Sequence, residues 1–417
     1  MPEVRVHYDL SMADDDRDMS ARITDEGIEK MRVRIGVPME MPPPFNLEAH
    51  PDTMRHFCYG YGDDNPLYAD AEYGRSSRWG SAIGAPFYVG TLGRSTAPPM
   101  PADIRQRSRG ALAGVGMFYA GSDWRFTSPI RPGDRVHVGQ TLTDVSEQAS
   151  KTFQSRTVRT DRKVEYTRES DGTPIAEHRY WFFHVERSAG VKTREKRRVD
   201  PPSYTDEEIE EIEQSILAEQ RRGSEPRWLE DVRVGDSIGT VTKGPLRVSD
   251  ILAWHIGNGP GENQWGAMRI MSQTRKRVPG FFTKNDYGVW DLVQRLHWDP
   301  QWANRIGLDR PYDYGPMRNT WMGHLVTDWM GDDAWLLRLT TRINAFNYQG
   351  DLTRVSGTVT AVDLDDGLAT VEITGVNQRG ETTCSGEAWV ALPRRQGHAS
   401  VPDAASGWVA SLPASMT

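Results

Sequence analysis

The stretch "VEYTRESDGTPIAEHRYWFFHV", residues 164–185, has a diverged copy near the other end of the chain, "VEITGVNQRGETTCSGEAWVAL", residues 371–392. Each copy alternates apolar and polar side chains on both sides of a short turn, SDG or QRG, which is the pattern of a β-hairpin. Before each copy, within residues 128–145 and 346–362, a Gly-Asp turn leads into another alternating segment. The repeated order predicts two similar domains in one chain.

A buried helix is predicted ahead of the second set of strands. Pro316 stands at an early helical position, where its missing N–H costs nothing. Apolar side chains then recur every four residues and form a broad face: Met317, Trp321, Leu325 and Trp329, with Met322, Val326 and Met330 beside them. Each half therefore reads as a polar loop, one substantial helix and several strands. This order predicts the α+β class, with a long helix wrapped by an antiparallel sheet in each half.

The chain divides into a few predicted segments: an N-terminal domain over residues 1–187, a linker over 188–227, a C-terminal domain over 228–395 with an inserted segment at 260–288, and a loosely held tail over 396–417. In the linker, Thr205 and Glu208 form a capping box for a charged helix that ends near Gly223. The basic run Lys192 to Arg198 is interpreted as a solvated face.

Composition excludes several classes of protein. The 417 residues carry a net charge of -8, which argues against nucleic acid as the main partner. Cys58 and Cys384 are the only cysteines, which fits a reducing cytoplasm. The N-terminus lacks a signal-peptide pattern and no run is long and apolar enough for a bilayer, so we expect a soluble protein without a membrane partner. The Gly-rich "IGNGPGENQWG" lacks a nucleotide-binding fingerprint, so no cofactor is expected.

The segment "GYGDDNPLYAD", residues 60–70, resembles the loop of the (R)-specific enoyl-CoA hydratases and MaoC-like acyl dehydratases. That loop reads Asp, any residue, Asn, Pro, an apolar residue, His, any residue, Asp. Five positions match: Asp63, Asn65, Pro66, Leu67 and Asp70. Tyr68 stands where the family has its catalytic His. The resemblance implies a tandem of two hot-dog domains over most of residues 45–187 and 228–395.

The second half departs from the same pattern in the opposite way. His297 and Asp299 match its His-any-Asp part, and "VTDWMG" after the helix also resembles the family. Leu292 stands at the position of the loop Asp, with Asp291 one residue away, and Gln294 and Arg295 replace Asn-Pro.

Hydration of an enoyl thioester explains why such residue types are needed. Water attacks C3 while a proton reaches C2, and a His and a carboxylate that share one water manage both protons near neutral pH. Negative charge develops on the thioester oxygen, where a backbone N–H at a helix start stabilises it. The resemblance assigns that N–H to Gly315, and to Gly84 or Ala85 in the first half. A Gly before Pro is also ordinary helix-start chemistry.

We therefore expect catalysis in the second half. His297 would be the acid/base, Asp291 its carboxylate partner through a local shift of one residue, and Gly315 the backbone donor. Gln294 would orient the loop, and further substrate contacts are expected from Tyr314, Asp63, Asn65 and Tyr68. The first half would be a degenerate partner that holds a bulky acyl chain, as in similar single-chain eukaryotic proteins. Asp63 could instead join a composite site.

The resemblance implies a lyase of lipid metabolism that acts on a thioester of coenzyme A or acyl carrier protein, in a chain that could pair as a homodimer. Two competing interpretations are a hot-dog thioesterase and a non-catalytic acyl-binding subunit. His297 and Asp299, with His255 or His324, are possible metal ligands, but their spacing is not that of a metal site, and none is expected. Apolar residues of the insertion would form a pocket wall or simply pack it down: Trp265, Met268, Met271, Phe281 and Phe282.

Overall fold

The computed structural model describes residues 21–149, 156–186, 199–259 and 266–395. The N-terminal 20 residues, the basic run Lys192 to Arg198, Trp265 and the predicted tail lie outside this range. Where the chain is described, no helix is long and apolar enough to cross a membrane.

Eleven strands form one sheet to which both halves contribute. The first-half strands are β1 (Pro38–Met39), β2 (Arg94–Ser95), β3 (Gly116–Phe126), β4 (Val136–Ala149), β5 (Arg156–Arg168) and β6 (Pro174–Val185). The second-half strands are β7 (Ser237–Lys243), β10 (Trp335–Ile343), β11 (Thr353–Asp363), β12 (Leu368–Asn377) and β13 (Thr382–Ala391). β8 (Phe282–Lys284) and β9 (Trp290–Leu292) form a separate hairpin.

The strand order repeats between the halves. The sheet runs β1-β4-β5-β6-β3-β10-β13-β12-β11-β7, with β2 beside β4, so each half has the same order read inward from its edge. Strands β3 and β10 join the halves as an antiparallel pair. The two hairpins predicted from the repeated sequence are confirmed as β5–β6 and β12–β13. The predicted α+β double hot-dog architecture is therefore present.

Ten α-helices accompany the described strands: α1 (Asp25–Arg32), α2 (Pro51–Tyr59), α3 (Pro66–Ala69), α4 (Ala71–Ser76), α5 (Ala102–Arg107), α6 (Asp206–Leu217), α7 (Val248–Asn258), α8 (Met268–Arg277), α9 (Pro300–Arg305) and α10 (Gly315–Met330). The capping box predicted for the linker helix is present in α6, which ends at Leu217 rather than near Gly223. The predicted buried helix is α10, and its residues from Met317 onward are all buried.

The prediction of a substantial helix in each half is wrong for the first half. The segment that corresponds to α10 forms only a 3-10 turn at Tyr88–Thr91. Pro86 and a positive φ of 74° at Phe87 interrupt helical geometry there. The Phe87 ring occupies the space instead, since a Cβ added to Gly323 of α10 would lie 2.5 Å from it. Only the second half thus places a long helix in the core.

Candidate active site

The first-half loop that matches the family pattern is held by its own polar side chains. Asp63, only 1% exposed, accepts hydrogen bonds from the Asn65 N–H and the Tyr61 hydroxyl, each at 2.9 Å. Asn65 caps α3 by accepting from the Leu67 N–H at 3.0 Å. Asp70 caps α4 in the same way. These residue types therefore fix the course of the loop and keep the Asp63 carboxylate in the interior.

Asp63 faces the long helix of the other half. His324 Nε2 lies 3.8 Å from Asp63 Oδ1 and 3.3 Å from Asp328 Oδ2, one helical turn further along α10. On the other side of the ring, Lys243 Nζ at the end of β7 lies 2.7 Å from His324 Nδ1. Lys243 also donates to the Tyr61 carbonyl oxygen at 3.2 Å. We call Asp63, Lys243, His324 and Asp328 the interface cluster.

Burial changes the protonation of this cluster. Desolvation, strengthened by the negative charge of Asp63, raises the pKa of Asp328 to about 8, so its carboxyl group carries a proton at neutral pH. Desolvation and the positive charge of Lys243 lower the pKa of His324 well below its ordinary value. Burial also lowers the pKa of Lys243, although Glu219, Asp63 and Asp328 act to raise it. His324 is therefore neutral.

The side chains of the interface cluster lie close enough together to bind a metal ion, but the ring proton of His324 is on the wrong nitrogen for it. The ligand atoms of Asp63, His324 and Asp328 all lie within 4.8 Å of one another. A metal on His324 would need the lone pair of Nε2. An ammonium group on Lys243 can only donate, so its contact with Nδ1 places the ring proton on Nε2. These contacts favour proton transfer over metal binding.

An apolar cavity lies beside the first-half loop and the last residue of α10. Its lining includes Leu67, Ile83, Phe126, Ile130, Ile175 and Met330, together with Tyr68 and Asp332. Tyr68 belongs to both regions, because desolvation and the negative charges of Asp63, Asp332 and Asp328 raise the pKa of its phenol. The phenol therefore stays neutral and can donate a hydrogen bond into the cavity.

His297 is the last residue of the 3-10 turn Val293–His297, and its ring packs against the residue that precedes α10. Its ring stacks on Tyr314, the residue before Gly315, with 3.7 Å between ring centroids. Its Nδ1 lies 2.7 Å from the Tyr312 carbonyl oxygen, which can only accept, so Nδ1 carries the proton. Desolvation lowers the pKa of His297 to about 3, and the nearby charge of His255 adds to this effect. The Tyr314 hydroxyl in turn contacts His255 Nε2 at 2.9 Å.

The structure does not bring Asp291 and His297 together. Asp291 lies on β9 opposite Thr283, and its Oδ1 accepts from the Leu292 N–H at 2.7 Å. Arg295, at the family's Pro position, fixes the backbone nearby by donating to the carbonyl oxygens of Asp291 and Leu292. Across the described ranges, His297 forms no ion pair with a carboxylate. Gln294 lies in the 3-10 turn Val293–His297.

The sequence reading missed Lys243 and Asp328 and considered His324 only as a metal ligand. A signal was present: in "HLVTD", His324 and Asp328 are four residues apart and share one face of the helix that the sequence predicts to be buried. Ionisable side chains on a buried face require partners. Their partner Asp63 lies more than 250 residues away in sequence, and spacing alone gives no access to that contact.

The apolar residues of the insertion differ in how far they are buried. Phe282 is buried, whereas Met268 is 86% exposed. Met271 and Phe281 are partly buried. The segment is therefore only partly packed against the rest of the domain.

Comparisons with known proteins agree with this architecture. Residues 36–177 match the model of the FAS1-like dehydratase domain region. A UPF0336 protein of Streptomyces avermitilis is 25% identical over 108 residues, which are 26% of this chain and 69% of that protein.

Two solved structures share the fold. A MaoC-like dehydratase matches with a TM-score of 0.58 at 15% identity, over 86% of this chain and 98% of the other. A double hot-dog protein of Mycobacterium tuberculosis matches with a TM-score of 0.50 at 10% identity, over 87% and 97%. At such identities the structures establish the fold, while the family model adds the dehydratase relationship of the first half. Together these findings agree with the resemblance seen in the sequence: the fold is that of two hot-dog halves in tandem, and residues 36–177 match the FAS1-like dehydratase domain region.

Proposed function

We propose that this chain reversibly adds water to a trans-2-enoyl thioester. The observation that carries the proposal is an apolar cavity whose lining includes two ionisable side chains, Tyr68 and Asp332, in a fold like that of a MaoC-like dehydratase. An acyl chain needs an apolar enclosure, and hydration needs proton-transfer groups at the end of that enclosure. The cavity provides the first requirement and the interface cluster the second.

His297 and Gly315 stay candidates for the chemistry in the second half. The Tyr312 carbonyl holds the proton on His297 Nδ1, so Nε2 has the lone pair that a general base needs. Gly315 is the first residue of α10, where backbone N–H groups have no partner within the helix and favour negative charge. Asp291 stays a predicted partner, although it would have to leave its present hydrogen bond to reach His297.

The reaction is tested by incubating the purified chain with trans-2-enoyl-CoA esters of increasing chain length. We expect loss of the ultraviolet absorbance of the conjugated enoyl thioester and formation of the 3-hydroxyacyl product. A thiol reagent in the same assay detects the competing thioesterase, because only hydrolysis releases free CoA. Preference for long or branched esters would support the predicted bulky acyl group, and parallel assays with acyl carrier protein esters compare the two carriers.

Variants then compare the candidate groups in the second half. H297Q and D291N remove the two predicted catalytic side chains, and D161N, at a partly exposed Asp paired with Arg159 on β5, is the matched control. Loss of turnover in H297Q supports the role of His297. If the unaltered chain binds acyl thioesters but neither hydrates nor hydrolyses them, the chain is an acyl-binding subunit and the proposed activity is refuted.

A further inference from the structure

We propose that Asp63 and His324 form a composite acid–base pair for this hydration, to which each half of the chain contributes one member. This inference rests on the proposed function and assigns its reacting groups. The family pattern places both groups in one loop, but Tyr68 occupies the His position of that loop. In this structure the imidazole near the loop's carboxylate comes instead from α10 of the second half.

The surroundings of Asp63 suit a general base. Burial raises the pKa of its carboxyl group, while hydrogen bonds from the Asn65 N–H and the Tyr61 hydroxyl and the positive charges of Lys243 and Arg221 act against that rise. Asp63 Oδ1 and His324 Nε2 are 3.8 Å apart, beyond the 2.7–3.2 Å range of a direct hydrogen bond. A small relaxation would let one water contact both atoms.

Lys243 determines which ring nitrogen of His324 carries the proton. Its ammonium group donates to Nδ1 at 2.7 Å and to the Tyr61 carbonyl oxygen at 3.2 Å. The imidazole is then neutral, with its proton on Nε2, the nitrogen that faces Asp63 and Asp328. Lys243 is thus a positioning residue that presents His324 as a proton donor.

The cavity is lined by Leu67 and Tyr68, which belong to the loop that carries Asp63. Tyr68 lines the cavity, and the negative charge of Asp63 contributes to the raised pKa of its phenol. A thioester near Tyr68 would have its acyl chain among Leu67, Ile83 and Ile130, and its reacting carbons toward the loop. The neutral phenol of Tyr68 can donate a hydrogen bond to the thioester oxygen.

The proposed proton transfers balance without a metal or a redox partner. Asp63 takes a proton from water as the water oxygen bonds to C3, and the C2–C3 π electrons move toward the thioester oxygen as an enolate. His324 Nε2 then gives its proton to C2 while Nδ1 takes a proton from the Lys243 ammonium group, so the ring does not become an anion, and the electron pair returns to form the C2–H bond. The proton held by Asp63 passes to His324 Nε2 as the Nδ1 proton returns to Lys243, which restores all three groups. The net change is the addition of one water.

A purely structural role explains the cluster less well. Buried charged groups stabilise a fold only when nearly all their hydrogen bonds are made. Replacing them by well-packed apolar residues often leaves the fold equally stable or more stable. Asp328 Oδ1 is buried without a hydrogen-bond partner within the described part of the chain. Such a group gives a polar ligand in the site a place to bind.

The test compares D63N, H324Q and K243M with two controls in the full chain. H184Q alters another buried His, which contacts Thr160 on the first-half sheet, and D161N alters an Asp outside the cluster. We expect kcat to fall by about 100-fold or more in D63N and H324Q, the usual range for loss of a general acid or base. The controls should keep the activity of the unaltered chain. Affinity for a saturated acyl-CoA, which cannot react, should be unchanged in all variants, which would show that the cavity stays folded.

K243M tests the positioning role separately. We expect kcat to fall while KM changes little, together with a shifted acidic limb of the kcat–pH profile, because the neighbouring charge that favours neutral His324 is gone. A merely structural Lys would change thermal stability without moving that limb. Full activity after treatment with a chelator is expected as well.

The outcomes separate the two proposals. Full turnover in H324Q or D63N overturns the composite pair and leaves the hydratase function intact, and loss in H297Q alone would move the chemistry to the second half. Inactivity of the unaltered chain overturns both proposals. Activity that disappears with a chelator and returns with added Zn²⁺ would show that the cluster works as a metal site, which also refutes the acid–base pair.

Discussion

Tyr68 shows how one substitution changes the interpretation of a whole loop. An imidazole at this position could accept a proton near neutral pH, whereas a phenol whose pKa is raised by burial stays neutral and cannot act as a base. The rest of the loop keeps its polar caps, and Asp63 is still directed inward. Loss of the His therefore leaves a carboxylate that needs a proton-transfer partner, and the nearest imidazole belongs to His324.

Asp328 gives a residue-scale prediction about pH. Its pKa is raised to about 8 in the folded chain, so the folded state binds this proton more tightly than the unfolded state does. The stabilisation is complete below the pKa of the unfolded chain and is lost as pH rises toward about 8, at most on the order of 6 kcal/mol. His324, Asp63, Lys243, Arg221 and Glu219 face this carboxyl group.

D328N should remove that dependence, because the amide resembles the protonated carboxyl group and cannot ionise. We expect the variant to match the unaltered chain in urea unfolding at pH 5 and to be the more stable of the two at pH 9. D161N should change little between the two pH values. Equal losses of stability in D328N and the unaltered chain on going to pH 9 would contradict the assigned protonation.

At the scale of elements, α10 and the sheet are packed closely enough that single glycines are required. Gly386 on β13 is an example: an added Cβ would lie 1.9 Å from the Thr340 carbonyl oxygen on β10 and 2.8 Å from the Met322 methyl group on α10. The first contact is with backbone, which cannot rotate away. The strand and the helix must therefore move for any larger residue to fit.

G386A should consequently destabilise the chain by about 1–3 kcal/mol or more, the cost of overpacking a core. G139A on β4 is the matched control, because no other atom lies within 4 Å of its added Cβ. Thermal or urea unfolding of both variants measures the difference. A G386A chain as stable as G139A would show that β13 and β10 are less tightly packed than described.

The elements differ in how far the sequence predicts them. The paired hairpins and α10 follow from local patterns, because alternation and four-residue spacing report which face is buried. The missing helix of the first half depends on Phe87 filling space beside Gly323, a contact between distant segments. The interface cluster is hidden for the same reason, since Asp63, Lys243 and His324 come from a loop, a strand edge and a helix in different parts of the chain. Local sequence patterns indicate which side chains are buried, but not which distant residues they contact.

At the scale of the whole molecule, the two halves share one sheet, and a buried ion pair lies where they join. Arg338 on β10 donates from Nε and Nη2 to the Asp123 carboxylate on β3, at 2.7 and 2.9 Å, and both residues are buried. The guanidinium also lies over the Trp389 ring, 4.5 Å from its centroid. Because the composite pair likewise needs both halves, neither half alone can complete the proposed site.

The last prediction follows from this shared sheet. Truncation of Arg338 in R338M leaves the Asp123 carboxylate buried, with Arg125 at 3.7 Å as its remaining cation. Breaking a buried pair in this way costs about 3–5 kcal/mol. R395M, which breaks the exposed pair of Arg395 with Asp231, is the control and should change stability little.

In calorimetry we expect one unfolding transition for the unaltered chain. We expect the same single transition at a lower temperature for R338M, because strands β3 and β10 couple the halves. Two separate transitions, of which R338M lowers only one, would mean that the halves fold independently and that the junction does not carry the coupling.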